Sequence, residues 1–189
     1  MKKVKHGKIS VFIALFLLMG AVTAVNAQTP NDANLWSVGA SLGTSFNAPW
    51  VIVTARGTIA PWRYSFLELG IDAGFVSGVK AAESYFSVYP FAHYVWYMPL
   101  KVFIMSGFYI GGGGGYMIAR YTYPGEKVSA DILAMDITAG VNILDMINVS
   151  YTVRENFWSG FPERSERSDH KGSIGVNHKV SVGYFYRFR

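Results

Sequence analysis

The sequence predicts an all-β protein: an eight-stranded antiparallel up-and-down β-barrel that crosses a membrane, preceded by a signal peptide. Three observations carry this. Apolar residues alternate with small or polar ones along segment after segment, the pattern of strands with two unlike faces. Turn residues cut the chain into eight such segments. The chain also opens on an export signal, and no later apolar run reaches the ~20 residues of a spanning helix, so a membrane passage must use strands.

The opening segment has a basic start (Lys2, Lys3, Lys5, Lys8), an apolar stretch from Ile9 to Val22, and the small-residue exit Val25-Asn26-Ala27. This is the layout of a secretory signal peptide over residues 1–27, cleaved after Ala27, with the mature domain at 28–189. Gln28 rather than Cys follows the cleavage point, so no lipid anchor is indicated. Cleavage removes four lysines and leaves 13 of the 17 basic residues against 12 acidic ones. The near-neutral mature chain gives no reason to expect a nucleic-acid partner. With no cysteine, neither a disulfide nor a thiolate metal site is available.

The first strand is expected near Leu35 to Ser45. Asn47-Ala48-Pro49 turns it into Trp50 to Ala60, and Pro61-Trp62-Arg63 turns that into Ser65 to Val76. A loop from Gly78 to Glu83 leads to Tyr85 through Met98, and Pro99-Leu100-Lys101 leads to Val102 through Tyr121. Pro124-Gly125 precedes Val128 to Ile143, Leu144-Asp145-Met146 precedes Ile147 to Phe157, and a long polar loop precedes the last strand, whose alternation runs from Val180 to Phe188. The turns at Pro61, Pro99 and Asp145 are tight, whereas those around Gly78, Pro124 and Trp158 to Asn177 are longer, an asymmetry that matches short periplasmic turns and longer outer loops. An even strand number puts both termini on the periplasmic side, with the last strand closing on the first around Trp36 to Leu42.

Parity decides which face meets lipid. Leu67, Leu69, Ile71, Ala73 and Phe75 oppose Glu68, Gly70, Asp72 and Gly74; Ile147, Val149, Tyr151 and Val153 oppose Asn148, Ser150, Thr152 and Arg154. The second face is small and sparsely charged, as suits a narrow lumen rather than a water-facing wall. With the parity reversed, Arg56, Glu68, Asp72, Asp136, Arg154 and Lys179 would face hydrocarbon. At ~2 to 4 kcal/mol for each basic group, that rivals a whole folding stability of about 5 to 15 kcal/mol. These six residues are therefore assigned to an interior ion-pair network with a structural, plugging role.

Trp36, Trp50, Trp62, Trp96 and Trp158 lie at strand ends, where amphipathic rings collect at the interface. Tyr64, Tyr97, Tyr186 and Phe188 are assigned to the periplasmic girdle, and Phe75, Tyr85, Tyr121 and Phe157 to the outer one. The fourth strand has no polar face and its facing stays open. The run Gly111 to Gly115 lacks the Lys-Ser/Thr and helix of a phosphate loop; it continues as strand and is assigned to relief of crowding. His93, His170 and His178 make no short-spaced metal pair. Asp169, His170 and Ser173 share the long loop, a weak hint of hydrolysis that solvated loop residues explain more simply.

In its signal, strand count, alternation and aromatic last strand, the chain resembles the small outer-membrane barrels of Gram-negative envelopes, of the OmpA transmembrane domain, OmpX and OmpW type. The resemblance implies a location in the cell outer membrane, reached by the general secretory route and in contact with outer-membrane lipid. It implies that Tyr184, Tyr186 and Phe188 form the signal read by the barrel-assembly machinery, from which Arg189 departs by following the aromatic terminus. The expected function is a structural or surface-interaction role through extracellular loops, with a ligand possible at loop 158–177, and no enzyme, cofactor or metal. An OmpW-like conduit for small hydrophobic molecules and a lipid-modifying barrel enzyme are the alternatives.

Overall fold

The computed structural model describes residues 36–46, 49–60, 62–79, 82–102, 104–123, 126–159 and 176–188. The predicted signal peptide, most of the long loop with Asp169, His170 and Ser173, and Arg189 lie outside these residues.

Eight strands follow one another: β1 (Ser37–Ser45), β2 (Val51–Ile59), β3 (Ser65–Val79), β4 (Ala82–Val102), β5 (Met105–Tyr123), β6 (Glu126–Ile143), β7 (Ile147–Ser159) and β8 (Val176–Arg187). Each pairs antiparallel with its neighbour in sequence, and β8 closes on β1. The seam runs from Ser37↔Arg187 to Ser45↔Lys179. Backbone bonds extend it at both ends, where Phe188 N–H donates to Trp36 O (3.0 Å) and Phe46 N–H to His178 O (3.1 Å). Closure leaves no edge in the seam, which a bilayer demands because hydrocarbon cannot satisfy a bare backbone group.

The register fixes the stagger of the wall. A row that starts at Ser37 passes through Thr58, Glu68, His93, Gly113, Asp136 and Arg154 and reaches β8 at Asn177. Ser37 itself pairs with Arg187, ten residues further along β8. That offset tilts the strands and places each register row on a spiral around the lumen.

Exposure follows the predicted parity. Leu67, Leu69, Ile71 and Phe75 point outward from β3 while Glu68 and Asp72 are buried; Val182, Tyr184 and Tyr186 point outward from β8 while Ser181 and Phe185 are buried. Polar outward side chains (Thr44, Ser84, Arg120, Ser129, Asp131, Glu155, His178) stand toward the rim away from the termini, above a continuous apolar belt. Trp36, Trp50 and Trp62 are exposed beside strand ends, as expected of interfacial rings.

Three expectations are corrected. The segments around Gly78 and Pro124 are not long loops: the strands stay paired as far as Val79↔Ala82 and Tyr123↔Glu126. Tyr97, assigned to the periplasmic girdle, is only 3% exposed and points into the lumen, where its hydroxyl donates to Ser106 O at 2.9 Å. Tyr85, assigned to the outer girdle, is also inside, in an apolar cluster with Tyr89, Phe91, Met117 and Ile132. Both rings lie on β4, the strand without a polar face.

The turn at the end of β6 shows why it is tight. Leu144 and Asp145 both have positive φ (52° and 60°), and Met146 N–H donates to Ile143 O at 3.2 Å. Two consecutive left-handed residues thus reverse the chain within the three-residue connection Leu144-Asp145-Met146, between the paired Ile143 and Ile147.

Candidate functional site: a charged chain across the lumen

The lumen is filled in three layers. At the rim away from the termini lies the apolar cluster of Tyr85, Tyr89, Phe91, Met117, Ala119, Ala130, Ile132 and Ala134. Nearer the termini lies a second, of Ala60, Phe66, Val95, Tyr97 and Tyr109. The charged groups sit between them.

Charged residues reach this middle layer from six strands. On β3, Asp72 accepts from Lys179 Nζ of β8 (2.7 Å), from Arg154 of β7 (2.9 Å) and from the Thr54 hydroxyl of β2 (2.6 Å). Arg154 also donates through Nε to Asp136 Oδ1 of β6 at 2.9 Å. Asp136 Oδ2 lies 3.1 Å from His93 Nε2 of β4, and the other ring nitrogen, Nδ1, lies 3.2 Å from Glu68 Oε1. Glu68 Oε2 then accepts from Arg56 of β2 at 3.2 Å. Arg56 also donates to Asn148 Oδ1 at 2.6 Å, and Tyr109 donates to the same oxygen at 3.1 Å. The result is one unbroken hydrogen-bonded chain from Lys179 to Tyr109.

Every acid in this chain has at least two partners, which is what a buried charge requires if its lost hydration is to be offset. The cations are also faced by rings. The Arg154 guanidinium lies 3.5 Å from the Tyr89 centroid, that of Arg56 lies 4.5 Å from Phe185, and Lys179 Nζ lies 5.8 Å from Phe91. Such contacts gain strength where water is excluded.

The five-glycine run explains how β4 fits. Odd-numbered residues of β4 point inward, and they stand opposite or next to Gly111, Gly113 and Gly115 of β5. A Cβ on Gly111 would lie 2.7 Å from Val95 Cγ2, one on Gly113 2.8 Å from His93 Cα, and one on Gly115 2.8 Å from Tyr89 Cζ. Ordinary side chains approach no closer than about 3.5 Å. Three bare positions on β5 therefore make room for the inward side chains of β4.

All six charges assigned to the interior point into it, and the structure joins them in one chain. His93 was missed as its central link, as were Asn148 and Tyr109 at its end. The signal for His93 was weak: it is the only ionisable side chain other than tyrosine in the interior of an otherwise ambiguous strand, with Glu83 and Lys101 at the two ends. Its position matters through register, since Glu68, His93, Gly113, Asp136 and Arg154 share one row. Tyr184, Tyr186 and Phe188 are about half exposed on the outer face of the closing strand and its end.

Space inside is scarce. A cavity of about 20 Å³ near the termini is lined by Ser37, Glu68, Tyr109, Asn148, Phe185 and Arg187, among others. That is room for about one water molecule.

No protein-family model matches the chain, and no curated protein matches it. Its fold is similar to the crystal structure of the N-terminal β-barrel domain of Pseudomonas aeruginosa OprF, with 8% identity and a TM-score of 0.52 over 79% of this chain and 97% of that one. It is likewise similar to Neisserial surface protein A, with 10% identity and a TM-score of 0.51 over 81% of this chain and 96% of that one. The fold is that of the small eight-stranded outer-membrane β-barrels.

Proposed function

We propose that this chain is an integral outer-membrane barrel with a closed lumen, exported through the general secretory route, that serves a structural or surface-interaction role at its outward rim. The observation that carries the reading is the unbroken chain of charged and polar side chains from Lys179 to Tyr109, packed between two apolar clusters. A through-route for solutes would have to break several buried ion pairs, each of which costs kilocalories to leave half-made.

The start of β1 and the end of β8 stand on the side of the tight turns, which this reading assigns to the periplasm. The opposite rim, with its polar collar, its long hairpins and the 158–177 segment, faces outward and is where an extracellular ligand would be met. Outer-membrane lipid covers the apolar belt. The exposed Tyr184, Tyr186 and Phe188 on the closing strand serve recognition by the barrel-assembly machinery.

The chain contains no cysteine, so single-cysteine variants give a clean test of topology. In intact cells an impermeant maleimide should label a cysteine at Ser129 and spare one at Asp145. The reverse labelling would overturn the orientation. Vesicles carrying the purified protein should not swell in small sugars or amino acids, and rapid swelling would overturn the closed lumen. Deletion of 160–175 should leave the barrel folded while abolishing adhesion to host components or surfaces. Adhesion unchanged by the deletion would remove the loop from the proposal.

The charged interior weighs against a conduit for hydrophobic molecules, which needs an apolar path. This reading is not that of an enzyme.

A further inference from the structure

We infer that His93 is a protonation-dependent crossbar of the lumen: doubly protonated it ties β3 to β6, and on losing a proton it releases one of the two carboxylates it holds. This rests on the closed-lumen reading and adds a regulating group to it.

Each ring nitrogen of His93 faces a carboxylate oxygen. Nδ1 lies 3.2 Å from Glu68 Oε1 and Nε2 lies 3.1 Å from Asp136 Oδ2, and an ionised carboxylate can only accept. A neutral imidazole has one N–H and leaves one of these contacts without a proton. The imidazolium has two and satisfies both. The ring is 4% exposed, so no solvent replaces the missing donor.

The surroundings hold the ring in this bridging pose. Phe91 stacks on it at 4.5 Å and 24°. On the β5 side it meets Gly113, which presents no side chain. The charged groups around it are Glu68 and Asp72 from β3, Asp136 from β6, Arg56 from β2, Arg154 from β7 and Lys179 from β8. The two carboxylates that touch the ring are each tied to an arginine on their other side, Glu68 to Arg56 and Asp136 to Arg154. Glu68 and Asp136 therefore cannot turn to each other when the ring lets one go.

Histidine is also the only member of this chain whose ordinary titration falls in the neutral range. The folded lumen gives the doubly protonated ring two acceptors, whereas a buried carboxylate keeps its arginine but loses its second donor once the ring is singly protonated. The folded state therefore binds that proton, and barrel stability is full on the acid side of imidazole titration and declines as pH rises through it.

The test is the thermal midpoint of the purified barrel in phospholipid vesicles, read as the loss of the compact, faster-migrating band in detergent gels, from about pH 5.5 to about pH 9 around the imidazole range. The wild-type midpoint should fall by several degrees across that range. His93→Gln should start lower and stay level. Glu68→Gln keeps the ring but replaces one carboxylate by a neutral amide, so the midpoint should again stay level; this variant decides the matter if His93→Gln fails to fold. A midpoint that falls equally in wild type and in Glu68→Gln, or that does not fall in wild type, would overturn the crossbar. A conducting wild type that still showed the fall in midpoint, and lost it in Glu68→Gln, would overturn the closed lumen while supporting the titrating link.

Discussion

Gly113 stands between His93 and Asp136 in the register of the barrel wall, and its bare backbone lets the imidazole span a strand and meet the carboxylate at 3.1 Å. Two residues on strands that are not neighbours are thereby brought into contact along the wall. The relationship joins the least legible strand to the charged chain, and it makes the glycine run part of the site.

Gly113→Ala should destabilise the barrel by about 1–3 kcal/mol, the usual cost of overpacking. The new methyl would overlap the Ala92 carbonyl and crowd His93 Cα at 2.8 Å. Gly112→Ala is the control, because a Cβ there meets nothing closer than the Asp136 carbonyl at 3.4 Å and faces outward. Urea unfolding in vesicles separates the two; equal losses would contradict the fit of β4 against β5.

Asp72→Ala should cost more than Lys179→Met. Removing Asp72 takes the counter-charge from Lys179, leaving it only the Thr54 hydroxyl at 3.2 Å, and strips a partner from Arg154, whereas removing the Lys179 charge leaves Asp72 paired with Arg154 at 2.9 Å. Breaking a buried pair from one side costs about 3–5 kcal/mol, and a methionine keeps most of the lysine stem's packing. The same unfolding measurement applies, with the opposite order as the adverse result.

Ile71 lies midway along the outward face of β3 and is half exposed. Ile71→Arg should cost about 2–4 kcal/mol in a bilayer, since the charge would sit at hydrocarbon depth. Ile71→Val should cost well under half of that. If the arginine variant were as stable as the valine one, the apolar belt would not be facing lipid.

Phe188→Ala should slow insertion by the barrel-assembly machinery while leaving the stability of refolded protein nearly unchanged. Its backbone N–H still donates to Trp36 O at 3.0 Å, so the seam can close without the ring. A time course with purified machinery in vesicles reads the effect. Unchanged insertion would remove Phe188 from the assembly signal.

Most of the fold was legible because period-two alternation is a strong signal wherever the faces differ. On β3, β6, β7 and β8 the alternation alone placed Glu68, Asp72, Asp136, Arg154 and Lys179 inside, and exposure follows it residue by residue. β4 was illegible for a definite physical reason. Its inward side chains include Tyr85, Tyr89, Phe91 and Tyr97, as large and apolar as Phe86 and Trp96 on the other face, and parity carries no contrast there. The volume those rings need comes from glycines on the next strand, information that depends on register. Register joins residues far apart in sequence, as when Lys179 reaches Asp72 across the lumen. The loop lengths at Gly78 and Pro124 were misjudged because turn residues mark where a chain reverses but not how far the flanking strands pair.

Ionic and aromatic side chains close the lumen. Single-channel recording of the purified, folded protein in planar bilayers tests this closure most directly. The account predicts a silent wild type, and steady openings only when the chain is cut, as in an Asp72→Ala, Asp136→Ala double variant that still folds. A large, steady conductance from the wild-type barrel would contradict it.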